Sequence, residues 1–125
     1  MGSRGNIVIE QDNDCFTAPL YFYAHWDGYR LKPILQAALK RGKPRWDDPP
    51  YLCRIIFSEM IAGRVKDETG YGISNVFCDG SYSLLCVNIA KRRVRELDSP
   101  DKLDSPVLKE WTFEEFVNDQ FEDEE

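Results

Sequence analysis

"ISNVFCDGSYSLLCVNI", residues 73–89, is the stretch whose reading decides how the strands are arranged. Two β-rich runs, 73–78 and 81–89, flank Asp79-Gly80, and Asp-Gly between such runs is the strongest short-range hairpin signal. Read as a two-residue turn, it sets Cys78 opposite Ser81 and Ile73 opposite Cys86, so the two cysteines are not cross-strand partners. The continuation "AKRRVREL" (90–97) reads as an edge strand whose Lys and Arg discourage further pairing.

Upstream, "NIVIEQ" (6–11) and "PLYFYAHW" (19–26) read as strands separated by a polar "DND" break. In the second, Leu20, Phe22, Ala24 and Trp26 alternate onto one face, with Tyr21, Tyr23 and His25 on the other. "LKPILQAALKRG" (31–42) is a helix with the stripe Ile34, Leu35, Ala38, Leu39 and a Gly42 stop. A second helix spans 49–63, with Asp48 as N-cap and Pro49 at the first helical position. Its stripe is Leu52, Ile55, Ile56 and Met60, and Tyr51, Phe57 and Ile61 widen the apolar surface beyond one side. Near the end, Thr112 and Glu115 form a capping box, with Trp111 and Phe116 as its hydrophobic staple. The order ββ, αα, ββ(β), α predicts an α+β fold: an antiparallel sheet of four to five strands, two central helices and a C-terminal helix packed on it.

The chain of 125 residues, 42% hydrophobic, fits one domain, taken as 1–117 with an acidic tail at 118–125. The net charge of −6 is concentrated at the end: residues 114–125 hold seven acids and no base, leaving the body close to neutral. Duplex DNA is therefore a poor partner. No apolar run approaches the length of a membrane span, and "MGSRGNIVIE" lacks a signal-peptide core, so a cytoplasmic protein without membrane association is expected. A myristoylation pattern fails at Asn6. Cys15, Cys53, Cys78 and Cys86 show no metal-ligand spacing and read as free, mostly buried thiols. No metal site, cofactor or catalytic residue is assigned.

Three connections carry the chemistry. "AHWDGYR" (24–30) holds the single histidine and places His25, Trp26, Asp27, Tyr29 and Arg30 just before a helix start. A helix N-terminus offers free N–H groups and partial positive charge, Arg30 adds a fork of donors, and Trp26 or Tyr29 a stacking face. "RWDDPP" (45–50) supplies Arg45 and Trp46, the latter either tucked in or offered for stacking. "ETGYGIS" (68–74) adds Glu68 and Tyr71 between glycines, without the dinucleotide fingerprint. These nine residues, His25, Trp26, Asp27, Tyr29, Arg30, Arg45, Trp46, Glu68 and Tyr71, are the candidate ligand-binding set, fitting a small anionic, nucleotide-like ligand held without catalysis. A metal-dependent phosphohydrolase built on Asp47, Asp48 and Glu68 is one alternative, and a factor that binds and inhibits a host protein another. The breadth of the second helix's apolar surface points to a homodimer.

"YFYAHWDGYRLKPILQAALKRG", "RWDDPPYLCRIIFSEMI" and "ETGYGIS" together resemble a family of small uncharacterised proteins of bacteriophages and actinobacterial mobile elements, over roughly residues 1–90. The resemblance implies no activity. It implies a setting, the bacterial host cell, and a counter-defence role such as sequestering a nucleotide signal.

Overall fold

In β1 (Gly5–Glu10) five successive residues are buried, alternating in direction but alike in burial. A strand so enclosed on both faces belongs in the middle of a sheet. The computed structural model, which describes residues 3–10, 19–77, 80–100 and 102–121, places it there. β2 (Leu20–Ala24) pairs antiparallel on one side, Ile7 opposite Phe22, and β4 (Leu85–Asn88) pairs parallel on the other, Ile7 opposite Leu85. β3 (Tyr71–Ser74), β5 (Arg93–Leu97) and β6 (Val107–Thr112) complete six strands in the order β3-β2-β1-β4-β5-β6.

The α+β class holds, but the sheet is mixed and has six strands rather than four to five. The hairpin expected at Asp79-Gly80 does not form: β3 pairs with β2 at one edge, whereas β4 lies between β1 and β5. Asp79 and Cys78 fall outside the described residues. The physical reason lies in β4, where Leu85, Cys86 and Val87 are all buried. A strand apolar on both faces gains more beside β1 than in a two-stranded ribbon. The connection leaving β3 instead helps cover the sheet, Phe77 meeting Tyr21 edge-on at 6.1 Å. β5, read as an edge, is internal because β6 pairs with it, and its buried Val94 and Leu97 face opposite sides.

The helices cover one face. In α1 (Leu31–Arg41) the residues Leu31, Ile34, Leu35, Ala38 and Leu39 are buried at helical spacing, and the chain stops where Gly42 N–H bonds the Ala38 carbonyl at 2.8 Å. In α2 (Pro49–Met60) the stripe is Leu52, Ile56 and Met60. Asp48 occupies the N-cap position but caps nothing; its carboxylate sits 3.8 Å from Arg45. α3 (Phe113–Asn118) starts on the expected capping box, Thr112 and Glu115 bonding each other's backbone N–H at 3.0 and 2.7 Å. Its staple is also present, with Trp111 and Phe116 rings 5.0 Å apart. Packing continues past residue 117: Phe121 stacks on Phe116, and Asp119 accepts from Trp111 Nε1 at 2.7 Å, a bond that holds its carboxyl below the usual range.

The opposite face carries a smaller cluster of Val8, Tyr21, Leu84, Cys86 and Leu97. There the Cys86 thiol donates to Glu10 at 2.7 Å, and burial together with that bond pushes it up to about 12. Cys86 and Cys53 are both free thiols, whereas Cys15 lies outside the described residues. Among the described residues no helix is long and apolar enough to cross a membrane.

Candidate functional site

The segment 24–30 leaves β2 at Ala24 and must reach α1 within a few residues, and Gly28 makes that possible. Its N–H bonds the Ser3 carbonyl at 2.6 Å, and a Cβ there would sit 2.5 Å from that oxygen and 2.7 Å from the Arg4 carbonyl carbon. Only a residue without a side chain lets the turn lie this close to the start of β1. From Gly28 to Arg30 the chain makes a 3-10 turn, and Arg30 stands at the N-cap position of α1.

The turn aims Asp27 and Arg30 into a cleft of about 370 Å³. Pro33, Ile34 and Ala37 of α1 form one wall, Glu59 and Met60 of α2 with Ala62 and Arg64 another, and Tyr71 of β3 closes the end. Tyr71 donates its hydroxyl to Asp27 Oδ2 at 2.5 Å, while Arg30 Nη1 lies 3.8 Å from Asp27 Oδ1. Burial first, and then this bond to a carboxylate, push the Tyr71 hydroxyl up to about 12, so it stays protonated as a donor.

Glu59 takes a 3.1 Å bond from Arg41 and Asp27 the short bond from Tyr71, so both carboxylates are engaged. Two arginines line the cleft with exposed side chains: Arg30, with Asp27 at 3.8 Å among its contacts, is 44% exposed, and Arg64, with Asp67 at 3.5 Å, is 57% exposed. Exposed pairs of this kind are worth about 1 kcal/mol or less. Asp27 keeps the bond from Tyr71 and Asp67 is exposed to water, so both guanidinium groups can turn toward an entering anion. The volume lies within the range of about 300–1,000 Å³ typical of small-molecule sites.

The nine candidate residues divide accordingly. Asp27, Arg30 and Tyr71 converge on the cleft. Trp26 does not line it; it is half exposed, with its indole against Gly70 and His25. Trp26 thus leaves the Leu20–Phe22 face it was expected to share, because β2 ends at Ala24. His25 faces Tyr23, whose hydroxyl lies 2.8 Å from Nδ1, and Arg4 Nε reaches the same atom at 3.4 Å. Tyr29 lines a separate, smaller hollow with Lys32, Tyr82 and Glu96. Arg45 stacks on Tyr51, and Glu68 is exposed outside the cleft.

Trp46 is a core residue, 6% exposed, bonded through Nε1 to the Leu39 carbonyl at 2.9 Å and set edge-on to Phe113. Its place is between α1 and α3, so no face is offered to a ligand. Asp47, Asp48 and Glu68 do not assemble as the hydrolase reading requires: no group of three or more His, Cys, Asp or Glu side chains among the described residues could hold a metal ion. Sequence reasoning missed Arg64 and Glu59. Arg64 follows Gly63, whose φ of +80° turns the chain back from α2 toward the cleft. A glycine directly before an arginine at a helix end was the available signal.

No protein-family model, curated protein or solved structure matches the chain.

Proposed function

We propose that the chain binds a small anionic, nucleotide-like ligand without chemically changing it, in the cleft between α1, α2 and β3. The observation that carries this reading is the convergence of Arg30 and Arg64, from segments far apart in sequence and with exposed side chains, on one cleft whose carboxylates are already engaged. The two guanidinium groups take a phosphate or carboxylate by bidentate hydrogen bonds. The first turn of α1 adds its positive end beside Pro33 and Ile34. Pro33, Ile34 and Met60 supply an apolar wall for a ring. A role in a bacterial host cell, as a phage or mobile-element factor that sequesters a nucleotide signal, follows from the resemblance of the motif blocks and is part of the same proposal.

A thermal-shift screen of inorganic phosphate, nucleoside mono- to triphosphates and cyclic nucleotides tests it. A ligand present at 100 times its Kd stabilises the chain by about 2.7 kcal/mol. Arg30→Ala and Arg64→Ala each remove that shift and leave the unliganded protein within about 0.5 kcal/mol of wild type, since both side chains are surface-exposed. A shift that survives both substitutions refutes the site.

A further inference from the structure

Away from the cleft, the sheet ends at β3, which among the described residues pairs with β2 on one side only. Its outer edge presents main-chain donors and acceptors, and no proline or inward charge blunts it: Gly72, Ile73 and Ser74 follow Tyr71. Beside this edge, between β3 and α2, runs an apolar groove of about 410 Å³. Leu20 and Phe22 form its floor, and Phe57, Ile61 and Ile73 its sides. Ile73 and Val65, both lining the groove, are 54% and 74% exposed, which leaves an apolar surface beside the strand edge.

One charge marks the groove. Arg54 of α2 lines it, is exposed, and makes no ion pair or side-chain hydrogen bond with any described residue. The other side chains lining the groove are apolar or neutral, and Arg45 shares the adjoining hollow with Arg54, so positive charge at this rim is complemented by a carboxylate arriving from outside.

We propose that the β3 edge and this groove bind an extended polypeptide segment of a partner protein, which adds a seventh strand to the sheet. Strand addition satisfies the edge backbone, and its period of two sends alternate side chains into the groove. The recognised segment therefore carries apolar residues at alternating positions and an Asp or Glu that reaches Arg54. The site is independent of the cleft, from which only Tyr71 extends into the same strand.

The test pans a displayed library of random linear decapeptides against the full chain and titrates the enriched peptides. Enrichment of alternating apolar sequences with one acidic residue is expected. Binding falls at least about tenfold in Arg54→Glu and in Ile73→Lys, through like-charge repulsion and a charge placed at the groove wall. Both positions are exposed, so both variants fold, which circular dichroism verifies. Arg30→Ala leaves peptide binding unchanged, separating this site from the cleft. Bound peptide also slows alkylation of Cys53, which lines the groove. Failure to enrich any peptide, or peptides that bind wild type and both variants equally, overturns the proposal. So does a dimer of the chain itself, seen by sedimentation at tens of micromolar and dissolved by Ile73→Lys, because that outcome gives the edge to a second copy.

Discussion

Replacing Gly28 by alanine tests how the fold sets the cleft. The added Cβ would meet the Ser3 oxygen at 2.5 Å, where ordinary contact begins at 3.4 Å, so the turn and the start of β1 must part by about 0.9 Å. Both obstacles are backbone and cannot rotate away. Overpacking of this kind costs about 1–3 kcal/mol. Parting also stretches the 2.6 Å bond from Gly28 N–H to Ser3, a further loss of about 0.5–1.5 kcal/mol. The sum, about 1.5–4.5 kcal/mol, lowers the melting temperature of a chain this size by about 6–18 °C. Urea denaturation followed by tryptophan fluorescence measures the loss, with Gly72→Ala as control because a Cβ there meets nothing within 4 Å. Since Asp27 and Arg30 flank the displaced turn, ligand affinity falls as well. A Gly28→Ala protein within about 0.5 kcal/mol of wild type would refute the argument from close approach.

Trp46→Ala should destabilise by about 3–5 kcal/mol, as for a buried aromatic, and not act selectively on ligand binding, which calorimetry on the folded fraction separates. Thr112→Ala breaks the capping box of α3 and should cost about 0.5–2 kcal/mol in denaturant titration, with Thr112→Ser recovering most of it. Tyr71 gives a pH signature. Its hydroxyl ionises near 10 when unfolded and at about 12 when folded, so its contribution is complete below pH 10 and is lost as pH rises toward 12. The melting-temperature advantage of wild type over Tyr71→Phe should therefore shrink across that interval, and a constant difference would show that the bond to Asp27 is not formed.

What the sequence made legible followed from local physics. The stripes of α1 and α2 and the box at Thr112–Glu115 are readable because spacing and capping act within one or two turns. β6 was not, because Val107 through Glu110 are all exposed and only Trp111 is buried, so no alternation marks it as a strand. The place of β4 was hidden for a different reason. Asp-Gly favours a hairpin locally, but pairing is chosen by how much apolar surface each neighbour covers, and β1 is far away in sequence. At the site, Asp27, Arg30 and Tyr71 were recognisable as polar or aromatic residues in connections. That Arg64 joins them, and that Trp46 turns inward to bond Leu39, depends on how α1 and α2 pack, which no single segment encodes.

The central claim is that Arg30 and Arg64 form one anion site with the Asp27–Tyr71 pair. It is tested most directly by a 15N-edited NMR titration with the nucleotide that produces the largest thermal shift. The account predicts saturable shifts of the backbone amides from Asp27 through Lys32 and of Ile34, together with those of Arg64 and Tyr71, all with one Kd and all lost in Arg30→Ala. Shifts confined to other surfaces, or none with any of the screened phosphates and nucleotides at millimolar concentration, would contradict it.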